Sequence, residues 1–278
     1  MVVQSEASTL AVSSYHHKLR QFGAMLDVHR EMRGREEMLV VADTSKKEIS
    51  AGGPWIFTAE NEERWSVFAG GRDEESEGPQ DTLVRELQEE FDELSQRKQI
   101  DSFPAEIQAA IHGLVALPAA EAALVPFIVG QLKQKPDQPL QINEVAASSV
   151  VIPYDQFPSP LRRAFDHLVQ LNFAKWIGID ELADALTISR VFGNPHVGSL
   201  AVRPQLLTLA KLHALQKIDH VSDEAVERQV LGWNSEIATH LTALARRHGV
   251  TINNGVFTDD GRVDPNLSME DRQYLGMK

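Results

Sequence analysis

The stretch from Trp65 to Leu94 constrains the fold of this chain more than any other. Trp65-Ser-Val-Phe-Ala69 reads as a strand, Gly70-Gly71 as a turn, and Arg72 to Gly78 as an acidic loop. Pro79 then suits the first turn of a helix running from about 79 to 94. Leu83, Val84, Leu87 and Phe91 recur at three- and four-residue steps, so one stripe of that helix packs on a core. The same helix carries Glu86, Glu89 and Glu90 on one face. No lysine or arginine stands four residues after any of them; Glu86 faces Glu90, and Glu89 faces Glu93. Each such like-charge pair costs roughly 0.2–0.5 kcal/mol. A solvated helix face is the ordinary explanation of an acidic run. Here the ridge sits on a docked element behind a glycine turn, which is the rigidity a metal site requires. Hard cations such as Mg²⁺ take oxygen ligands and are commonly shared with substrate phosphates.

Gly71, five residues, Glu77, seven residues, then Arg85-Glu86-Leu87-Gln88-Glu89-Glu90 matches the pattern G-x5-E-x7-R-E-U-x-E-E, where U is apolar. In this the chain resembles the Nudix hydrolase family. It departs from the rest of the box, with Asp92 in place of the last glycine and Glu93 in place of the final apolar residue. Aspartate tolerates the left-handed conformation better than most residues, so a local adjustment of the helix exit is expected there. The resemblance implies an α+β fold, an αβα sandwich on a mixed sheet, and metal-dependent hydrolysis of a phosphoanhydride in a nucleoside diphosphate linked to another group. It implies Mg²⁺ or Mn²⁺ held by Glu86, Glu89, Glu90 and the Gly70 carbonyl, with Arg85 orienting the carboxylates. Gly71 would keep the loop close to the helix, and Glu77 would stabilise the loop rather than touch metal. The general base would be a box glutamate such as Glu86 or an acid on a later loop, for which Glu144, Asp155 and Asp166 are candidates.

A weaker likeness extends from about 15 to 215. Trp176 to Leu182 resembles the family's late strand and short helix, W-x-x-x-x-E-L, and Val202-Arg203-Pro204 with Gln205 to Leu215 resembles its closing strand and helix. Further strands are expected at His16–Val28, Met38–Ala42 and Ser148–Ile152, and a helix at Leu161–Gln170. Residues 1–14 read as a tail and 97–147 as an inserted region. Its alanine- and leucine-rich part, 101–133, reads as short helices broken at Pro104, Pro118 and Pro126. Residues 216–278 read as a helical extension. It holds an amphipathic helix from Asp223 to His248, with Trp233, Ile237, Leu241 and Leu244 along one side, and then a poorly patterned end. The extension is expected to pack or to form a homodimer.

With 278 residues and 42% hydrophobic composition the chain can bury a substantial core. The net charge of −13 argues against a broad nucleic-acid or anionic-membrane surface, and the tail has no basic patch suited to DNA. It does not exclude a phosphorylated small molecule, because bound divalent ions invert the local field. There is no run of eighteen apolar residues, and Met1 to Ser14 lacks the pattern of a secretory signal. The absence of cysteine removes thiolate ligands and fits a reducing compartment, so a cytoplasmic location is expected.

His16 and His17 read as surface residues of an edge strand. Trp55, Phe57 and Phe68 read as core, or alternatively as platforms for a base. The marks of NADH, dinucleoside polyphosphate and coenzyme A hydrolases are absent. The proline mark of ADP-ribose hydrolases is matched only weakly, by Pro104 or Pro118, and ADP-ribose or a nucleotide sugar stands slightly ahead of nucleoside triphosphates mainly on chain length. The competing function is a non-catalytic nucleotide-binding or regulatory protein of the same fold.

Overall fold

The computed structural model describes residues 21–43, 49–51, 64–97, 103–120, 126–133, 141–192, 196–197, 200–218, 221–249, 252–253, 256 and 262–275. The expectations for residues 1–14, His16, His17, Trp55 and Phe57 lie outside them. The strands are β1 (Gln21–Met32), β2 (Arg35–Asp43), β3 (Ile49–Ala51), β4 (Arg64–Ser66), β5 (Ala69–Gly71) and β6 (Phe127–Lys133). They continue with β7 (Gln141–Pro153), β8 (Ala174–Gly178), and the short β9 (His196–Val197), β10 (Leu200–Ala201) and β11 (Ile252–Asn253). The helices are α1 (Pro79–Arg97), α2 (Ala105–His112), α3 (Ser159–Gln170), α4 (Ile179–Phe192), α5 (Pro204–Gln216), α6 (Asp223–His248) and α7 (Met269–Tyr274).

The sheet is mixed. β1 lies parallel to β7, from Gln21 beside Val145 to His29 beside Pro153. On its other edge β1 forms a hairpin with β2, registered by His29 with Met38. Arg33 and Gly34 close that hairpin with φ of 54° and 74°. Beyond Met38 the two strands part, and the segment 64–71 enters between them. β4 pairs with the end of β2 through Val41 and Ser66, and β5 pairs with the start of β1 through Ala24 and Gly70. The glycine turn is thereby fixed to a central strand. The strand expected over 65–69 is thus two short ones, split at Val67 and Phe68, because the chain changes partner there.

Side chains of β1 alternate between two helical layers, as the pleat dictates. Ala24, Leu26 and Val28 face a cluster with Leu83, Leu87 and Phe91 of α1, Ile107 and Ile111 of α2, and Phe165 and Leu168 of α3. Met25 faces the other layer, with Leu182 of α4, Leu206 and Leu209 of α5, and Val230 and Trp233 of α6. This is the α+β, αβα arrangement that the sequence predicts.

The region 97–147 is less helical than expected. It contains the helix Ala105–His112, but Phe127–Lys133 and Gln141–Pro153 are strands of the main sheet. Phe127, Ile128 and Val129 are β-branched or aromatic and buried, so sheet packing outweighs the helical composition of the preceding segment. The extension packs on the same body. Asn234 of α6 accepts a hydrogen bond from the Ile128 amide at 2.8 Å, and Ile237, Leu241, Leu267 and Tyr274 share a cluster with Phe22 and Ile128. No helix among the described residues is long and apolar enough to cross a membrane.

Candidate active site

The site is built where β5, the acidic loop and α1 meet. Gly78 precedes the helix, and the Asp81 side chain accepts its amide at 3.0 Å, which fixes the first turn. Leu83, Leu87 and Phe91 are fully or almost fully buried beneath α1. Phe91 is packed on Phe68, Phe103 and Phe165 at ring-centroid distances of 5.8, 5.3 and 6.4 Å. Phe68 is therefore a core ring and not a platform for a base.

Arg85 organises the carboxylates. Its Nε donates to Glu77 at 3.0 Å, its Nη1 to Glu86 at 2.7 Å and to Glu89 at 3.4 Å, and its Nη2 to the Gly71 carbonyl. Asp73 lies 3.5 Å from the same guanidinium. The charge density that the sequence leaves without a following cation is thus answered in part by the preceding one. Burial opposes the charged form of Arg85, but its hydrogen bonds to Glu77 and Glu86 outweigh it and raise its pKa. Burial likewise raises Glu77, yet Arg85, the Asp73 amide and Thr82 outweigh it and hold that carboxyl below its ordinary value. Glu77 accepts from the Asp73 amide at 2.9 Å and from Thr82 at 3.2 Å, so it ties the loop to the helix.

Glu86 lies directly on the glycine turn. A Cβ placed on Gly70 would fall 1.7 Å from its Cδ and 1.9 Å from its Oε1, so only glycine admits this carboxyl. Burial raises the Glu86 pKa above the ordinary value, and the Arg85 contact offsets this only in part. The Gly70 carbonyl oxygen sits 3.0 Å from the position a Gly23 Cβ would take, on the β1 side of the turn. Glu89 is exposed, and Glu90 is half-buried one turn beyond Glu86. Glu86, Glu89, Arg85, Gly70 and Gly71 are thus brought together. The donors on offer are hard oxygens with no sulfur or imidazole among them, the set that suits Mg²⁺ or Mn²⁺.

Two of the three later acids, Asp155 and Asp166, are placed elsewhere. β1 and β7 run in parallel, and Asp155 follows the end of β7 beside His29, whereas Gly71 pairs with Gly23. Six residues of strand separate the two positions, roughly 20 Å. Asp166 is tied to the same end by a 2.7 Å hydrogen bond from Tyr154. The side chain of Glu144 lies outside the described ones. Asp92, expected to bend the helix exit, instead lies inside α1, which continues to Arg97. Without the glycine the helix does not stop at this position, and Asp92 meets His112 at 3.5 Å.

One wall was not legible in the sequence. Arg72, the residue after the glycine pair, is ion-paired with Asp271 at 2.9 Å, and its guanidinium lies 5.0 Å from the Tyr274 ring and 5.3 Å from Phe22. The Tyr274 hydroxyl is 3.2 Å from Thr82, and burial raises its pKa to about 12, so it remains a neutral phenol. The end of the chain therefore braces the acidic loop. Its only signal was the Ser268 cap of a helix too short to show a period.

Neither a protein-family model nor a curated protein matches this sequence. Two solved structures are similar to it. A mutT/nudix family protein from Listeria innocua has 15% identity and a TM-score of 0.31, over 71% of this chain and 94% of that one. The Ap4A hydrolase of C. elegans has 14% identity and a TM-score of 0.25, over 62% of this chain and 87% of that one. Neither likeness is close enough to bear on chemistry, which rests on the side chains above.

Proposed function

We propose that this chain is a Nudix-type pyrophosphohydrolase that uses Mg²⁺ or Mn²⁺ to cut a phosphoanhydride in a nucleoside diphosphate linked to another moiety. The observation that carries this is the Glu86 carboxyl seated on Gly70, with Arg85 spanning it, Glu77 and Glu89. Glu86, Glu89 and Glu90, with the Gly70 carbonyl, would hold the ions. When bound, such ions lower the pKa of water and neutralise charge on the phosphates.

Arg85 keeps the carboxyls converged and fixes the loop through Gly71. Glu77 and Thr82 hold the loop against the first turn of the helix. Glu86, the box carboxylate seated on the glycine turn, is the residue offered as the base that accepts a proton from the attacking water. ADP-ribose or a nucleotide sugar stands ahead of nucleoside triphosphates as the substrate class. The chain is expected to act on a free small molecule in the cytoplasm, without nucleic acid or membrane, and its 216–278 extension leaves a homodimer open.

One observation favours the competing reading, a nucleotide-binding protein that does not cut. Arg85 already answers Glu86 at 2.7 Å, so the carboxylates are partly neutral without an ion. A phosphate-release screen across nucleotides with Mg²⁺ and Mn²⁺ separates the two. The enzyme reading predicts turnover of at least one nucleotide, abolished in Glu90→Gln. Nucleotide binding with no turnover of any substrate overturns it.

A further inference from the structure

We propose that Asp27, His29 and His213, with Glu36 at their rim, form a metal site suited to one divalent transition-metal ion such as Zn²⁺ and separate from the carboxylates of α1. Asp27 and His29 are two apart on β1, so both project from the sheet face opposite α1, toward α5. His213 comes from α5, and Glu36 from β2. Asp27, His29 and His213 are all buried, and each offers a ligand atom within 4.8 Å of the others. His213 Nδ1 lies 2.5 Å from Asp27 Oδ2, and its Nε2 lies 3.0 Å from Glu36 Oε1. His29 Nδ1 is 3.8 Å from Asp27 Oδ1, its Nε2 is 3.9 Å from Glu36, and the two imidazoles stand edge to face at 4.8 Å.

Two carboxylates and two imidazoles in an apolar layer are costly unless a positive charge sits among them. A proton on His213 supplies part of it. Burial lowers the His213 pKa, but Asp27 and Glu36 outweigh this and raise it to about 9. The close approach of the His213 ring, with Nε2 at 3.0 Å, likewise outweighs burial at Glu36, whose pKa falls to about 2. That proton leaves a residue of the problem unsolved. Asp27 is wholly buried, and its Oδ1 has no hydrogen-bond partner. An ion between Asp27 Oδ1 and the two rings would satisfy it and displace the proton from whichever His213 nitrogen it takes. Imidazole nitrogen and carboxylate oxygen together suit zinc and its neighbours in the first transition row, whereas the all-oxygen set on α1 does not select for them. Glu36, about one-third exposed beside Lys217, forms the rim through which an ion would enter. Along β1, Asp27 and His29 stand four and six residues from Gly23, roughly 13 and 20 Å, and on the face opposite the α1 site.

The test reads ring nitrogens, which the α1 carboxylates lack, so it stands or falls independently of the hydrolase reading. The EDTA-treated, ¹⁵N-labelled full chain is titrated with Zn²⁺ in excess Mg²⁺ while imidazole ¹H–¹⁵N correlations are followed. One equivalent is expected to shift two rings, those of His29 and His213, and Glu86→Gln is expected to leave the shifts intact. His29→Gln and Asp27→Asn are each expected to weaken zinc at least tenfold. Should these buried variants fail to fold, Glu36→Gln at the rim is expected to weaken zinc several-fold, with the wild-type rings assigned by sequential connectivity. Zinc that leaves the His29 and His213 rings unmoved would overturn the proposal and leave the cluster holding a proton only.

Discussion

Gly70→Ala is the substitution with the sharpest consequence. The added methyl would fall 1.7 Å from Glu86 Cδ, 1.9 Å from Oε1 and 2.2 Å from Cγ. Ordinary contact begins near 3.4 Å, so the carboxyl must retreat by roughly 1.7 Å, the difference of 3.4 and 1.7. The obstructing atoms are the free end of a flexible side chain, so the strand can keep its pairing with β1. Stability should change little. The displaced Arg85–Glu86 pair is partly exposed and contributes about 1 kcal/mol. Alanine regains roughly 0.4–1 kcal/mol by restricting the unfolded chain. Melting temperature should therefore move by only a few degrees. Function should change far more, because a misplacement of about 1 Å at a reacting centre costs on the order of 100-fold. The assay pairs a thermal melt with turnover of the nucleotide found in the screen and with Mn²⁺ binding followed by electron paramagnetic resonance. A folded Gly70→Ala protein with turnover and Mn²⁺ affinity within threefold of wild type would refute the placement of Glu86.

Four further variants test named contacts. Arg85→Ala leaves Glu77 and Glu86 without their shared donor and should cost about 1–3 kcal/mol in denaturant titration. Arg85→Lys keeps the charge but loses the fork, so turnover should still fall about tenfold. Phe91→Ala opens a cavity between Phe68, Phe103 and Phe165 and should cost about 3–5 kcal/mol, read from the urea midpoint. Tyr274→Ala removes the ring beneath Arg72 and should cost about 3 kcal/mol. Hydrogen exchange at the amides of residues 72–82 should then speed up more than exchange at β7; equal protection in both would show that the chain end does not brace the loop.

The sequence carried the local structure wherever periodicity and punctuation agree. α6 runs from Asp223 to His248 as its apolar spacing predicts. Ser222 caps its start by accepting the Ala225 amide, and Gly249 closes it at φ 64°. The carboxylates of α1 and their glycine turn were legible for the same reason, since Gly70 to Glu90 is one short run of chain. What stayed hidden depends on distant pairing. Phe127–Lys133 is a strand because β3 and β7 flank it, and nothing in its own composition names those partners. Arg72 meets Asp271 across 199 residues, and His213 meets Asp27 across 186. For the buried cluster the one local hint was Asp27-Val28-His29, whose alternation puts two ligating groups on one strand face.

Of all measurements, the most direct is a crystal of the full chain grown with Mn²⁺ and a non-hydrolysable nucleoside diphosphate sugar, with anomalous scattering used to place manganese. Manganese bonded to Glu86 and Glu90 beside the diphosphate, with the Gly70 turn unchanged, is the predicted result. A diphosphate bound there with no anomalous peak, and Arg85 still holding Glu86, would contradict it.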